Sequence, residues 1–274
     1  MKLYIFGNGF DIAHDFKTSY KDFRNYLINK NRDDILYLFP DEDLWSNFEY
    51  NVCAIDHEVF KGLVKEYKEI SEGICEEIFD DISKEMATFL NEIDYKSKYV
   101  YEIEKNSLFF VFNYTHTLEM LYDVDPSRIY QPHGSIGEYL YFNKKLILGH
   151  HKHEYLVNPE LTSGKYFDHY YAFNLYTEKP VEKIINSKEM IDFLSTIEMN
   201  EIEEVIFYGF SYSIVDEDYI VKLKEKINDN TMFLLGYHSP SDKINAMEFV
   251  KRLSIINYKI LNNSVLIKRM EVRN

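Results

Sequence analysis

The chain has 274 residues, a formal net charge of −15 at pH 7 and an apolar content of 46%. This apolar content is enough for a large hydrophobic core and argues against intrinsic disorder. The negative charge repels a phosphate backbone, so broad, non-specific binding to nucleic acid is not expected.

The sequence also indicates where the protein resides. Its only cysteines, Cys53 and Cys75, form no C-x-x-C motif, which fits a reducing compartment. The first residues run directly into a glycine turn and lack the features of a signal peptide. No apolar run reaches the roughly 18 residues that a membrane span requires. We therefore expect a cytoplasmic protein without a membrane partner.

Short apolar segments that end in polar or glycine-rich turns predict a series of strands. Leu3 to Phe6 is the first strand, and the turn Gly7-Asn8-Gly9 leads into a helix that opens at Asp11 to His14. The pattern repeats where the strand Ser107 to Phe112 is followed by a helix from Thr117 to Tyr122. Further strands are predicted at 128–131, 205–208, 231–236 and 265–269, with a hairpin at 139–148 and a helix at 241–253.

Two long segments interrupt this alternation. Residues from about 19 to 100 carry apolar side chains at helical spacing, which predicts an inserted helical lobe. A second, variable insertion spans about 137–200. We predict a single α/β domain over residues 1–274, with a mostly parallel, Rossmann-like sheet and helices on both faces, because strands that alternate with helices favour parallel pairing.

Four of the predicted strand ends carry small or polar residues. Ligands of open parallel sheets bind beyond the carboxyl ends of the strands, where the strand order reverses, so we expect these ends to converge on one site. The four turns are Gly7-Asn8-Gly9-Phe10-Asp11, Asn113-Tyr114-Thr115, His133-Gly134-Ser135 and Gly209-Phe210-Ser211-Tyr212-Ser213.

The first turn has features of an anion-binding loop. Gly7 and Gly9 allow a ligand to approach the backbone, and a helix N-terminus favours negative charge. The turn is not the dinucleotide fingerprint G-x-G-x-x-G, because Ile12 stands in the place of the third glycine. Two plainer interpretations stay open: the glycines serve only a tight turn, and Asp11 is a helix cap instead of a ligand contact.

Asn113 and His133 are the candidate catalytic residues. The amide of Asn113 can donate to and accept from a ribose or a water, and His133 suits general-base work near neutral pH. The alternative is that each satisfies local backbone groups. Ser211 and Ser213 either bind phosphate or ribose hydroxyls or cap the next helix. Asp216 is interpreted as a cap or a solvated charge.

Metal chemistry and serine-hydrolase chemistry are not predicted. His150, His151 and His153 are closely spaced, but adjacent strand residues point to opposite faces and no upstream carboxylate has diagnostic spacing. The segment Gly209 to Ser213 lacks the closing glycine of G-x-S-x-G. We therefore expect no metal cofactor.

Five motifs follow one another along nearly the whole chain. They are Gly7 to His14, Lys17-Thr18-Ser19-Tyr20, Phe112 to Leu118, His133-Gly134-Ser135 and Gly209 to Ser213. In this order they resemble the motifs of the AbiH family of bacterial phage abortive-infection proteins. Membership of that family implies a role in defence and does not specify a reaction.

The same motifs also resemble a distant version of the sirtuin-like fold, which in defence effectors cleaves NAD at the nicotinamide glycosidic bond. This resemblance implies that Asn113 and His133 are catalytic, and it places Gly7, Gly9 and Asp11 around the diphosphate and ribose. The residues expected to contact the nucleotide are Gly7, Asn8, Gly9, Asp11, His14, Tyr114, Gly209, Ser211 and Ser213.

The departures from sirtuins narrow the expected activity. No pair of C-x-x-C motifs is present, so the zinc module of the deacetylating sirtuins is missing. Asn8 stands where sirtuins carry a small residue, so the path of the cofactor differs. The resemblance therefore implies hydrolysis, or simple binding, of NAD and argues against protein deacetylation.

Uncontrolled loss of NAD kills the host, so the activity is expected to be latent. Homo-oligomerisation or a phage-derived trigger would release it, and the helical lobe is the candidate contact for a trigger. Two rival functions stay open. One is a nucleotide-sensing or protein-binding module without turnover, and the other is an RNA-targeting nuclease, which we expect to need clustered acids or a basic track.

Overall fold

The structure is a computed structural model that describes residues 1–51, 59–62, 72–97, 101–142, 144–149 and 167–270. The chain divides into two compact units. The first, here called the sheet unit, comprises Met1–Lys17, Ile93–Gly137 and Pro180–Asn274. The second, the helical unit, comprises Thr18–Glu92 and Glu138–Lys179. The helical unit thus draws on both predicted insertions, and whether the chain folds as a single domain stays a prediction.

A six-stranded sheet forms the centre of the sheet unit. Its strands are β1 Lys2–Phe6, β2 Leu108–Val111, β3 Ile129–Tyr130, β4 Glu204–Tyr208, β5 Met232–Tyr237 and β6 Tyr258–Asn262. All neighbours pair in parallel, in the order β3-β2-β1-β4-β5-β6. The order reverses between β1 and β4, as in Rossmann-like sheets. The predicted α/β fold with a parallel sheet is confirmed.

The helices are α1 Gly9–Ala13, α2 Tyr20–Asn29, α3 Asp33–Leu38, α4 Phe48–Asn51, α5 Glu72–Asn91, α6 Thr117–Tyr122, α7 Ile136–Phe142, α8 Phe167–Tyr176, α9 Val181–Ile185, α10 Lys188–Met199, α11 Glu217–Lys224, α12 Pro240–Arg252 and α13 Asn263–Met270. Short 3₁₀ turns lie at Glu42–Asn47, Pro126–Arg128 and Ile214–Asp216. None of the helices in the described ranges combines the length and the apolar character of a membrane span.

One face of the sheet is covered by α1, α6 and α13. Their side chains Phe10, Leu118 and Leu266 join Tyr4 and Phe6 of β1 in one buried cluster. The rings of Phe6 and Phe10 stack with centroids 4.1 Å apart. Because successive strand residues point to opposite faces, this cluster takes every second residue of β1.

The opposite face is covered by α10, α11 and α12. The ring of Phe110 in β2 lies 5.8 Å from Phe193 of α10 and 6.3 Å from Tyr219 of α11. The ring of Phe207 in β4 lies 5.7 Å from Phe249 of α12. Helices therefore cover both faces, which explains why the central strands are apolar without alternation.

The helical unit packs helices of 4 to 20 residues around buried aromatic side chains. Helix α2 begins with a capping box, in which Ser19 Oγ accepts from the Asp22 amide and the Asp22 carboxylate accepts from the Ser19 amide. Trp45 is fully buried, and its indole N–H donates to the Phe39 carbonyl at 2.8 Å. The described part of the predicted helical lobe is helical, as expected.

The predicted hairpin at Tyr139 to Leu148 is wrong. Residues Ile136–Phe142 form helix α7, and 144–149 have no regular structure. Aromatic residues in this segment favour strands only weakly, because β propensity depends on context. Here the Ile136 amide donates to the Tyr114 carbonyl at 2.9 Å, and the buried Ile136 side chain anchors the start of the helix.

The predicted closing strand at Val265 to Arg269 is also wrong. The last strand is β6, and the apolar run that follows it belongs to α13. The side chain of Asn262 accepts from the Ser264 amide at 3.0 Å, which is a cap that starts a helix. Leu266 is fully buried while Val265 is exposed, so only one side of this run faces the core.

The loops after β1 and β4 pack directly against each other. The Gly9 amide donates to the Gly209 carbonyl at 3.0 Å. A Cβ atom on Gly209 would lie 2.3 Å from the Phe10 nitrogen, and one on Gly9 would lie 2.6 Å from the Gly209 Cα. Gly209 also has a φ of +64°, which residues with a side chain rarely adopt. These glycines therefore allow the backbones to touch.

Replacing Gly209 by alanine should strongly destabilise the protein. The added methyl group collides with backbone and not with a flexible side chain, so we expect a loss of at least about 3 kcal/mol in the free energy of unfolding. Urea denaturation followed by circular dichroism measures this loss. The matched control is Gly62→Ala, since a Cβ there meets only the Tyr37 hydroxyl at 3.5 Å in a helical segment. Equal stability of both variants would contradict the packing argument.

Candidate functional site

The four motif-bearing turns follow four neighbouring strands. In the order of the sheet, His133 follows β3, Asn113 follows β2, Gly7 follows β1 and Gly209 follows β4. All four therefore lie along one edge of the sheet, at its carboxyl ends and beside the point where the strand order reverses. This edge is the candidate functional site.

The amides of the turn after β1 already donate to backbone carbonyls, two of them at the end of β4 and one within the turn. The Gly7 amide donates to the Tyr208 carbonyl, the Gly9 amide to the Gly209 carbonyl and the Phe10 amide to the Gly7 carbonyl, at 3.2, 3.0 and 2.9 Å. The helix that follows, α1, has only five residues. Both observations differ from an anion-binding loop, which needs outward-facing amides at the start of a longer helix. Contacts of Gly7, Asn8 and Gly9 with a nucleotide stay predictions.

The Asp11 carboxylate connects the loops after β1 and β2. It is fully buried, and it accepts hydrogen bonds at both oxygens. The Thr115 hydroxyl donates to Oδ2 at 2.7 Å, and the Thr117 hydroxyl donates to Oδ1 at 2.6 Å. Two charge-assisted bonds of this kind fix the position of the loop after β2.

Burial raises the pKa of Asp11 from 3.8 to about 6. The loss of hydration is the dominant cause, because it penalises the charged form. The hydrogen bonds from Thr117 and Thr115, and a weaker interaction with the Asn113 side chain, act in the opposite direction. Near neutral pH the cluster therefore contains a buried negative charge.

Asn113 is the least satisfied polar side chain of the site. It is 5% exposed, and neither its amide nitrogen nor its carbonyl oxygen makes a hydrogen bond of normal geometry to any described residue. Leaving a buried polar group without a partner costs about 1–3 kcal/mol. A ligand that supplies the missing hydrogen bond would recover this cost.

Gln131 links the loops after β2 and β3. Its side-chain amide donates to the Asn113 carbonyl at 2.6 Å and to the Thr115 carbonyl at 3.1 Å. The Gln131 carbonyl in turn accepts from the Gly134 amide at 3.1 Å, which closes the tight turn that carries His133. One residue thus fixes the backbone on both sides of Asn113 and shapes the neighbouring turn.

His133 lies beside Asp216, a residue of the 3₁₀ turn that follows β4. The distance from His133 Nε2 to Asp216 Oδ1 is 3.3 Å, and the two residues are 2% and 8% exposed. A carboxylate only accepts hydrogen bonds, so in the neutral ring it favours the proton on Nε2 and leaves Nδ1 as the nitrogen that can accept one. A histidine oriented by an acid is a common general-base arrangement.

Aromatic rings surround the imidazole of His133. The ring centroids of Phe112, Tyr219 and Tyr114 lie 5.5, 5.7 and 6.2 Å from that of His133. These contacts limit the rotation of the imidazole. Tyr114, a predicted nucleotide contact, is buried in this aromatic shell.

The turn after β4 positions Asp216. Ser213 Oγ accepts from the Val215 amide at 3.3 Å and so caps the 3₁₀ turn that ends at Asp216. Tyr212 adopts a φ of +58°, and its hydroxyl donates to the Gly236 carbonyl at 2.7 Å. Ser213 therefore has a local role, while the Ser211 side chain is exposed at the same edge.

His14 is part of the core beneath the site. It is fully buried, with Nδ1 2.7 Å from the Phe10 carbonyl and Nε2 2.5 Å from the Tyr122 hydroxyl. The carbonyl can only accept, so Nδ1 carries a proton and donates to it. Burial lowers its pKa, in keeping with a neutral ring. The structure thus gives His14 two protein partners, and its predicted contact with a nucleotide stays a prediction.

Sequence reasoning missed four residues that organise this edge. Thr115 and Thr117 hold Asp11, Gln131 joins two loops, and Asp216 contacts His133. The T-x-T spacing after Asn113 was a usable signal. Nothing local to the acidic turn distinguishes Asp216 from a solvated charge. His150, His151 and His153 lie outside the described residues, so the expected absence of a metal stays a prediction.

The strand order and the polar residues along this edge define a Rossmann-like α/β protein with a candidate site at the switch point. The family model of bacteriophage abortive infection AbiH proteins matches residues 3–237. This match covers most of the chain and all the strand-end motifs, so the chain belongs to the AbiH family. It is therefore an abortive-infection protein, with a role in bacterial defence against phage. No curated protein and no solved structure matches the chain significantly.

The burial of Asp11 predicts a specific dependence of stability on pH. Between about pH 4 and pH 6 the folded protein retains a proton that the unfolded chain has released, so the contribution of Asp11 to stability falls as the pH rises through this window. The fall amounts to about 3 kcal/mol for a shift of this size. The free energy of unfolding of Asp11→Asn, measured by urea denaturation, should therefore increase relative to that of the wild type as the pH rises from 4 to 6.5.

His14 affects stability in the opposite direction, because its lowered pKa makes the stability of the protein fall as the pH drops below about 6.5. This effect is common to the wild type and the variants, so comparing each variant with wild type cancels it. The matched control is Asp15→Asn, which removes an exposed carboxylate from the same segment. If both variants gave the same pH profile, the buried position of Asp11 would not be the cause.

Proposed function

We propose that the protein hydrolyses NAD at the nicotinamide glycosidic bond during abortive infection. The observation that carries the proposal is the buried, unsatisfied carboxamide of Asn113 at the end of β2, next along the sheet to the turn that holds the His133–Asp216 pair. A hydrogen-bonding group and an oriented base on adjacent strand ends are what a hydrolytic site for a sugar requires.

In this proposal Asn113 binds the ribose or the attacking water. Its carboxamide supplies a hydrogen-bonding group in a water-poor setting, where a hydrogen bond is stronger than in bulk solvent. Its position is fixed because Gln131 holds the backbone carbonyl of Asn113 at 2.6 Å. Such fixing lowers the entropic cost of aligning the sugar with the nucleophile.

His133 acts as the general base. The bond between C1′ of the ribose and the nicotinamide nitrogen breaks, and its electron pair neutralises the pyridinium ring. The water oxygen forms a bond to C1′, and its proton passes to His133, so the products are nicotinamide, ADP-ribose and one proton. Asp216 orients the ring and stabilises the imidazolium that forms.

The remainder of the nucleotide extends over the turn after β4. Ser211 is exposed there, and Ser213 is partly exposed. The turn after β1 offers little to a diphosphate, since the amides of Gly7, Gly9 and Phe10 already have acceptors. The reaction as written needs no metal ion.

Two other functions compete with hydrolysis. A nucleotide sensor would use the same unsatisfied Asn113 for binding and would release the nucleotide unchanged. Nuclease activity is disfavoured by the formal charge of −15, because this charge repels the phosphate backbone of RNA. We therefore place the sensor second.

Latency follows from the proposed reaction, and the helical unit supplies a surface for a phage-derived trigger. This unit contains a cavity of about 780 Å³. Its lining combines the apolar residues Ile35, Ile74 and Ile78 with four acidic residues, Asp34, Glu77, Asp80 and Asp81, and two lysines, Lys84 and Lys145, of which Lys145 pairs with Asp80. A trigger segment that presents apolar and basic side chains together complements such a lining. Homo-oligomerisation is the alternative means of activation.

Loss of either proposed catalytic residue should abolish turnover of NAD. We expect His133→Ala and Asn113→Ala each to lower the rate of nicotinamide release by at least about 100-fold, because the first removes the general base and the second removes the group that aligns the sugar with the water. Chromatography of NAD, nicotinamide and ADP-ribose measures the rate at neutral pH, with phage lysate added to relieve latency. Matched controls are His238→Ala and Asn106→Ala, which change exposed residues of the same types. Binding of NAD without products in the activated wild type would favour the sensor.

Asp216 should affect the chemical step more than binding. Asp216→Asn keeps the size of the side chain but removes the charge that orients His133, so we expect kcat to fall by about 100-fold with little change in KM. Asp218→Asn is the matched control, because it removes an exposed carboxylate from the same segment. Equal kcat values for the two variants would exclude Asp216 from the mechanism.

A further inference from the structure

Asp11 and Asn113 are buried at the ends of β1 and β2, and the Asn113 side chain acts on the Asp11 carboxylate. Asp11 is fully buried and Asn113 is 5% exposed. The Asp11 oxygens are held at 2.7 and 2.6 Å by the hydroxyls of Thr115 and Thr117. The side chains that favour its charged form are those of Thr117, Thr115 and Asn113, and all three are neutral. The pair is therefore a fixed acceptor-only group beside an amide that lacks a regular partner.

An ionised carboxylate beside an amide favours one of the two orientations of that amide. An ionised carboxylate can only accept hydrogen bonds, so it attracts the NH₂ group of a neighbouring amide and repels its carbonyl oxygen. The direction of the interaction agrees, since Asn113 favours the charged form of Asp11. With the nitrogen turned towards Asp11, the Asn113 Oδ1 atom is the group left for a ligand.

The same strand ends disfavour a phosphate. The buried charge of Asp11 lies only four residues beyond Gly7, and the amides of Gly7, Gly9 and Phe10 all donate to protein carbonyls. Phosphate sites in proteins combine free amides or cations with an absence of nearby negative charge. These three amides already have acceptors and a negative charge lies close by, so this end of β1 is unfavourable for a phosphate.

We infer that Asp11 is a positioning residue that presents Asn113 Oδ1 to a neutral hydrogen-bond donor, such as a ribose hydroxyl, and excludes phosphate from the ends of β1 and β2. This inference deepens the proposed function. Only the choice of a ribose hydroxyl as the donor rests on that proposed function. It places any phosphate of the ligand away from the first glycine turn, in contrast to the position that the sirtuin-like resemblance implies.

A purely structural role does not account for this cluster. Two threonine hydroxyls are sufficient to join the loops, yet the buried Asn113 carboxamide keeps no regular hydrogen bond. An alanine at this position would avoid the cost of a buried, unsatisfied amide. The amide is explained when a ligand completes its hydrogen bonding.

The arrangement makes the orientation of Asn113 dependent on pH. Protonated Asp11 gains an O–H donor and can bond to the Asn113 carbonyl oxygen, which removes the preference for the nitrogen. Because the pKa of Asp11 is raised to about 6, this change falls near neutral pH. Binding through Oδ1 should therefore weaken as the pH drops from 7.5 to 5.

The first test uses NMR on the full-length wild-type protein. The side-chain NH₂ resonances of Asn113 should shift with pH around a midpoint near 6 and should be flat in Asp11→Asn. Asp15→Asn should behave like wild type. Resonances of Asn113 that do not respond to pH in the folded wild type would overturn the positioning role, and this result does not require any variant to fold.

The second test asks which probe binds at Asn113. At pH 7.5 adenosine should perturb the Asn113 side-chain resonances, whereas inorganic pyrophosphate at the same concentration should not. Asp11→Asn should weaken adenosine about tenfold, and Thr115→Val, which keeps the carboxylate, should weaken it less. Perturbation by pyrophosphate, or no perturbation by adenosine in the wild type, would overturn the inference.

The outcomes separate this inference from the proposed function. Adenosine binding at Asn113 with a pH-dependent amide, but without nicotinamide release, would support the inference and remove the hydrolase. Nicotinamide release with a diphosphate bound beside Asp11 would support the hydrolase and overturn the inference.

Discussion

A single buried carboxylate holds the candidate site together. Asp11 has given up its hydration, and the hydroxyls of Thr115 and Thr117 replace it at 2.7 and 2.6 Å. These bonds fix the loop after β2 against the turn after β1, and that loop carries Asn113. If the carboxylate were absent, the threonines would lose their acceptor and Asn113 its orientation. The stability cost of burying the charge is thus tied to the geometry of the site.

The sequence allowed the sheet to be predicted because its central strands are short apolar runs followed by polar turns. Five of the six strands were located in this way, and the four turns do lie on one edge of the sheet. The prediction failed at Tyr139 to Leu148 and at Val265 to Arg269. The apolar and aromatic residues there are compatible with both a strand and a helix, and the helix forms because of a tertiary contact in the first case and a cap in the second. The pairing of Asp216 with His133 depends on the spatial neighbourhood of β3 and β4 loops, which no local pattern reveals.

The glycines illustrate how one sequence pattern serves two physical causes. Gly7 and Gly9 were interpreted as making room for a ligand, whereas the structure shows them making room for the loop after β4. Both interpretations require the absence of a side chain, so composition alone cannot separate them. The hydrogen bonds of the amides do, because an amide that already donates to a carbonyl offers nothing to a phosphate.

The side chain of Gln131 has a mechanical consequence. It bonds to the backbone carbonyls of Asn113 and Thr115, while its own carbonyl closes the turn that bears His133. The positions of the two loops are therefore coupled through Gln131. A displacement of the turn that carries His133 would displace the backbone at Asn113, and a displacement at Asn113 would displace that turn. A change that displaced one of the two groups should therefore displace the other as well.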